Sequence, residues 1–193
     1  MNDLIDHFRQ AVPLTDAEAE LIAEAFKTKH LKKKEFLLQK GDVSNHMRFI
    51  SEGCLRAYHL SDATTEYILQ FGIEGWWIND LSSYITQTPA TQFIQALEPC
   101  RLYQIHRDAL DELFDRVPML ERFFRLKIQK AYVALQDRTF RRMSQTAEER
   151  YQDFRQQYRQ LEQRVPQYMV ASYLDITPEH LSALRKKWID PLS

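Results

Sequence analysis

A chain of 193 residues, 44% of them hydrophobic, has enough apolar material for one large core or two small ones. No stretch approaches the roughly 18 apolar residues of a membrane span, and the acidic N-terminus MNDLIDHFRQ lacks the apolar run of a signal peptide, so a cytoplasmic protein is expected. The net charge of −1 hides an asymmetry: residues 1–116 carry 12 Lys/Arg against 18 Asp/Glu, whereas residues 117–193 carry 14 against 9, a basic second half suited to a polyanion.

Thr15 opens the first helix. Glu18 completes a capping box with it, and Ala17, Leu21, Ile22, Ala25 and Phe26 form the apolar stripe. From about His30 to His106 the texture is that of short strands, over 36–38, 47–50, 55–58, 66–71, 93–97 and 101–105. Lys40-Gly41-Asp42, Ser51-Glu52-Gly53, Ser61-Asp62 and Gly72-Ile73-Glu74-Gly75 read as turns between them. Such closely spaced strands indicate a barrel, roll or jelly roll.

Helices return after Arg107. A long pattern begins at Val117-Pro118 and runs to about Met143. Met119, Leu126, Val133 and Phe140 recur every seven residues, and Leu120, Phe124, Ile128, Ala131 and Leu135 form a second apolar row. One row suffices to pack on the β-domain. The other, with Phe123 beside it, is expected to meet a second copy of the chain, so Met119, Phe123, Leu126, Val133 and Phe140 are the candidate dimer contacts. Thr146 and Glu149 form another capping box before EERYQDFRQQYRQLEQR, a polar helix with Tyr151, Phe154, Tyr158 and Leu161 as its stripe.

The segment QYMVASYLDITPEHLSALRKK, residues 167–187, reads as a helix-turn-helix. Val170, Leu174, Ile176, Leu181 and Leu184 fall where two short helices bury apolar side chains against each other, and Ala171 sits where only a small residue fits. Asp175 holds the turn position that needs positive φ, Thr177 is an N-cap, and Pro178 suits the first helical turn. Candidate base readers on the second helix are Thr177, Pro178, Glu179, Ser182 and Arg185, with Glu179 suited to a cytosine amino group. Gln167, Tyr168, Lys186 and Lys187 are better placed for phosphates.

A roll with Gly-marked turns, a long helix and a C-terminal helix-turn-helix, in that order, resembles the Crp/Fnr family of bacterial transcription regulators over nearly the whole chain. The short, Bacteroidetes-type members are most alike. KGDVSNHMRFISEGCLRAY looks like the early strands of a cyclic-nucleotide-binding-type roll, with Gly41 and Gly53 at its turn glycines. GIEGWWINDLSSYITQTPATQFIQALEPCRLYQI looks like its phosphate-binding cassette and last strands.

The resemblance implies an α+β protein in three parts. Residues 1–116 are a double-stranded β-helix, or jelly-roll-like, sensor domain; 117–143 are a dimerisation helix; 144–193 are an all-α helix-turn-helix domain without a full β-wing. It also implies a homodimer on double-stranded DNA, with RNA polymerase as a further partner, and no catalytic or metal site. The departures from the family matter. Asn79-Asp80 stands where cyclic-nucleotide binders have Gly-Glu, and Ala90-Thr91 where they have an arginine beside a small hydroxyl residue. A buried phosphate would lack its cation there, so no cyclic AMP and no other resident cofactor is expected. Trp76, Trp77, Asn79, Asp80, Ser82, Ser83, Tyr84 and Thr91 are candidates to line a pocket for another effector; alternatively the tryptophans pack the roll and Asp80 caps a short helix. Ala183 follows Leu181-Ser182 where the resembled group usually has an arginine, and the chain closes Trp188-Ile-Asp-Pro-Leu-Ser where a wing would begin.

Two other functions compete. A cupin-like metalloenzyme needs clustered histidines and a glutamate, and His46 and His59 have no such companions; Cys54 and Cys100 have no metal-ligand spacing and suit small buried residues. A ligand-responsive protein-interaction module would use the same helices without DNA.

Overall fold

In the computed structural model of the chain, residues 1–61 and 65–189 are described. Helices α1 (Asn2–Arg9) and α2 (Asp16–Ala25) precede a run of strands: β1 (Lys27–Leu31), β2 (Phe36–Leu38), β3 (His46–Glu52), β4 (Leu55–Leu60) and β5 (Glu66–Gly72). A short helix α3 (Leu81–Thr86) leads to β6 (Phe93–Ala96) and β7 (Cys100–His106). Then follow α4 (Arg107–Arg116), α5 (Met119–Ser144), α6 (Ala147–Gln157), α7 (Arg159–Arg164), α8 (Gln167–Leu174) and α9 (Pro178–Ile189). The expected turn at Ser61-Asp62 lies partly outside the described residues, as do the last four residues, where a wing was expected to be missing.

Strands pair antiparallel throughout, in a three-stranded sheet ordered β1-β7-β3 and a four-stranded sheet ordered β2-β6-β4-β5. All six expected strands form. The seventh, β1, is Lys27-Thr-Lys-His-Leu, with four of five residues exposed; it exists because β7 offers a free edge, and lysines on an edge strand also deter further pairing. Leu31, Leu38, Ile50, Leu55, Ile94 and Leu102, drawn from both sheets, fill the space between them. Gly53 turns β3 into β4 at φ +102°; a Cβ there would lie 2.5 Å from Cys100 Sγ and 2.6 Å from the Pro99 carbonyl, so the turn admits no side chain.

Each outer sheet face carries its own helical cover. On the three-stranded side, Met47, Phe49, Tyr103 and Ile105 pack against α1, α2, α4 and the first turns of α5. Helix α1 is short, but Leu4, Ile5 and Phe8 bury one face completely enough to hold it. On the four-stranded side, Tyr58, Ile68 and Phe71 share a core with Tyr151, Phe154, Leu161, Val165, Val170 and Leu181 from α6–α9. The C-terminal helices therefore sit directly on the roll.

Helix α5 departs from the two-row expectation. Leu120, Phe123 and Phe124 are buried in the first core, with Met119 packed beside them, whereas from Ile128 onward the apolar side chains face solvent. Tyr132 is 60%, Val133 53%, Leu135 62%, Phe140 64% and Met143 80% exposed. The division runs along the helix axis rather than around it, because the roll covers only the N-terminal half. Phe123, fully buried within its own chain, is thus corrected as a candidate dimer contact, and Met119 is largely used internally. The polar segment after Thr146 also differs from one continuous helix: Tyr158, at φ −126° and ψ 40°, breaks it. Its ring lies against Trp76, Phe154 and Tyr173, and that packing outweighs the local preference for continuation.

Candidate nucleic-acid interface and its seat on the roll

Helix α8 ends at Asp175, whose φ of 60° and ψ of 46° place it in the left-handed region; the Ile176 amide turns back to the Ala171 carbonyl at 3.1 Å. Thr177 Oγ1 accepts the His180 amide at 3.2 Å and starts α9. Leu181 and Leu184 are buried against Val170, Ala171 and Leu174, with Ile176 partly covered. Each fully buried leucine contributes about 1.5–3 kcal/mol of transfer free energy, enough to fix the crossing of two short helices.

Burial of Leu181 and Leu184 determines what α9 presents outward. At 100° per residue, Glu179, Ser182, Ala183 and Lys186 occupy the opposite face, flanked by Pro178, His180 and Lys187; all are exposed. Thr177, Gln167 and Tyr168 are exposed beside them. Arg185 is the exception. It is half-buried on the inner flank, close enough to oppose the rise of the Tyr151 hydroxyl, which burial and a hydrogen bond to Glu162 push up to about 12. Lys186 and Lys187, the candidate phosphate contacts, both lie on this exposed side of α9. His180 was overlooked in the sequence, and its exposure beside Glu179 follows only from the phase of the buried leucines.

Four contacts seat this unit. Ser172 Oγ donates to the Glu66 carbonyl at 2.8 Å and accepts the Ile68 amide at 3.0 Å, so one side chain caps the free edge of β5. Arg138 of α5 donates to the carbonyls of Ile68, Leu69 and Tyr173 and stacks 3.9 Å from the Tyr173 ring; burial lowers its pKa. Arg142 holds Asp175 at 2.8 Å, tying the turn to the long helix. Arg164 grips Glu74 with two bonds of 2.7 and 2.8 Å and also pairs with Glu98. Glu74 in turn accepts the Gly53 amide at 2.7 Å, so the β3–β4 turn and α7 share one ion cluster.

The candidate effector residues do not converge on one pocket. Trp77 belongs to the aromatic cluster under α1 and α5, with Nε1 donating to His7 Nε2 at 3.3 Å; burial drives the His7 pKa down to about 4, which keeps the ring neutral as an acceptor. Trp76 points the other way, edge-on to Tyr158. Asp80 caps α3 by accepting the Ser83 amide, and Asn79 accepts the Arg48 amide; both are structural bonds. Ser83 is buried between Ser44 and the Thr88 carbonyl, Tyr84 is half-buried, and Ser82 and Thr91 are exposed. Ala90, where the family resemblance puts an arginine, is 3% exposed and packs among the side chains between the sheets.

The roll nevertheless holds a cation that sequence reasoning missed. Arg48 of β3 is 5% exposed, its Nη1 makes two contacts of 3.4 Å to Ser44 Oγ and the His46 carbonyl, and its Nε has no partner. Burial lowers its pKa to about 10. Among the described residues no three His, Cys, Asp or Glu side chains cluster as metal ligands, and no helix is long and apolar enough to cross a membrane. His46 faces His106 across two strands, and His59 contacts the Thr91 carbonyl. Cys54 and Cys100 are buried thiols, pushed up by burial to about 12 and 11.

Comparison with known proteins agrees with this architecture. Residues 28–117 match the cyclic nucleotide-binding domain family. The anaerobic regulatory protein of Haemophilus influenzae is 33% identical over 116 residues, covering 56% of this chain and 43% of that protein. The transcriptional activator protein anr of Pseudomonas aeruginosa is 34% identical over 92 residues, covering 48% and 37%. The chain thus matches less than half the length of these curated relatives. Among solved structures, FixK2 of Bradyrhizobium japonicum superposes with a TM-score of 0.76 at 14% identity, covering 86% of this chain and 85% of that one. The c-di-GMP-responsive regulator CLP of Xanthomonas campestris superposes at 0.70 and 14%, covering 92% and 93%. Residues 28–117 therefore match a cyclic nucleotide-binding domain, and about half of the chain is similar in sequence to bacterial regulatory proteins.

Proposed function

We propose that the chain is a homodimeric, DNA-binding transcription regulator of the cytoplasm rather than an enzyme, controlling transcription by the placement of paired α9 helices. The observation that carries this reading is the outward face of α9. It combines a carboxylate, a hydroxyl and two lysines, all exposed, on a helix whose other side is pinned by Leu181 and Leu184. A helix so displayed fits a major groove, where Glu179 and Ser182 meet base edges and Lys186 and Lys187 neutralise backbone charge. The exposed apolar half of α5 supports pairing: Tyr132, Leu135, Phe140 and Met143 are all more than half exposed on the same helix, as at an interaction surface. RNA polymerase is the partner such a regulator acts upon. An effector would act by binding one arrangement of the two reading units more tightly than another.

Cyclic AMP is not that effector in our reading. Ala90 supplies no cation to a cyclic phosphate, and side chains occupy the space between the sheets. Calorimetry with cyclic AMP should give no heat of binding at micromolar concentrations, and a micromolar isotherm would refute this part. The main test is fluorescence anisotropy with genomic fragments selected by the purified protein. Binding that weakens steeply with salt is expected; no binding at low salt would leave a protein-interaction module as the better account.

A further inference from the structure

We propose that the cleft between β5, the second half of α5, α6 and α8 is the effector site, and that it takes a small planar aromatic anion. Its regulatory meaning rests on the DNA-binding reading above; the binding itself does not. The cleft has a volume of about 330 Å³, at the lower end of the roughly 300–1,000 Å³ of small-molecule sites, and so suits one or two fused rings. It lies outside the space between the sheets, and residues from both the roll and the reading unit line it.

Two features of the lining set the ligand's chemistry. Trp76, Phe154, Tyr158 and Tyr173 present ring edges and faces at varied tilts, with Trp76 and Tyr158 5.7 Å apart and Tyr158 and Tyr173 6.3 Å apart, a surface that receives a flat ring by stacking or edge contact. The charge on the wall is unbalanced. Arg138, Arg141, Arg142 and Arg150 line the cleft with Asp137 and Asp153 as the acids. Arg142 is paired with Asp175, and Arg141 lies 3.6 Å from Asp153. Arg138 and Arg150 bond only to carbonyl oxygens, Arg150 through Nε to Leu174 and through Nη1 to Gln145. Among the described residues neither has a carboxylate partner, and Arg150 Nη2 has no acceptor. A guanidinium held in place by carbonyls, with its charge uncompensated and one nitrogen free, is a receptor for a carboxylate, sulfonate or phosphate. A ligand seated there touches β5, α5 and α8 together. It therefore discriminates between a docked and a displaced reading unit, which is what an effector must do.

The test uses the full chain and 1-anilinonaphthalene-8-sulfonate, an aromatic anion built on a flat naphthalene, with N-phenyl-1-naphthylamine as its uncharged counterpart. One sulfonate dye per chain should bind, with energy transfer from tryptophan that Trp76→Phe reduces. Arg141→Gln removes a half-exposed cation, and Gln157→Glu adds an anion to an exposed lining position without deleting a contact. Each should weaken the sulfonate about fivefold or more while changing the uncharged dye less than about twofold. Displacement by indole-3-carboxylate marks the natural anion as a carboxylate, and displacement by adenosine 5′-monophosphate marks it as a phosphate. The proposal is overturned if both variants bind the sulfonate as the wild type does, if Phe140→Ser on the exposed face of α5 abolishes binding, or if neither competitor displaces the dye. Duplex binding measured in parallel separates the two readings. Wild type that binds dye as described but not DNA sinks the regulator and leaves the cleft, and the reverse sinks the cleft alone.

Discussion

Replacing Arg164 with methionine should loosen the reading unit from the roll in a pH-dependent way. Hydrogen bonds from Arg164, opposed by burial and helped by the Gly53 amide, hold the Glu74 carboxyl down to about 2 from its ordinary 4.5. Taken whole, that shift corresponds to about 3 kcal/mol. The Glu74 side chain is 42% exposed, so solvent screening reduces it to about 1 kcal/mol, and the lost Glu98 contact brings the expected cost to about 1–2 kcal/mol. Because the folded-state pKa is depressed, this stability is fully present above pH 4.5 and is lost as pH falls towards 2. Urea unfolding of wild type and Arg164→Met should therefore differ by about 1–2 kcal/mol at pH 7, with the gap shrinking to about half or less by pH 3. A gap that is the same at both pH values would show that Arg164 acts by packing alone.

Ser172→Ala strips the edge of β5 of a donor and an acceptor at once. A loss of about 1–2 kcal/mol is expected, with the Ile68 amide exchanging about tenfold faster, and unchanged protection of that amide would contradict the capping role. Leu135→Asp combined with Phe140→Asp puts charge on the exposed half of α5 and should yield a monomer by sedimentation equilibrium with unaltered circular dichroism. A persistent dimer would place the interface elsewhere. Lys186→Ala combined with Lys187→Ala should reduce the salt slope of DNA binding by about three to four for a dimer that uses both lysines on both chains, and an unchanged slope would remove them from the phosphate contacts.

Features fixed by local chemistry were legible in the sequence. Capping boxes at Thr15 and Thr146, the positive φ of Asp175 and the Thr177 cap depend on neighbours a few residues away, and each forms as the residue types require. Features fixed by distant partners were not. β1 looks too lysine-rich for a strand until β7 is placed beside it. The seat of the reading unit depends on pairs such as Arg164 with Glu74 and Ser172 with Glu66, separated by 90 and 106 positions. The apolar rows of α5 suggested two faces, but periodicity carries no information on where along the helix the roll stops covering it, and that is what divides the buried side chains from the exposed ones. Trp76 and Trp77 are adjacent in sequence, and this suggested one pocket; the strand-like alternation of their side chains sends them to opposite sides. Arg48 left one trace: a charged residue among the apolar Met47, Phe49 and Ile50 of its strand.

Hydroxyl-radical footprinting of the wild-type protein on a selected genomic duplex probes the paired reading helices most directly. Two protected patches on one face of the duplex, their centres about 34 Å or one helical turn apart, are the expected result, and both should vanish with the Leu135→Asp and Phe140→Asp chain. A single patch, or protection that survives in the monomeric variant, would contradict it.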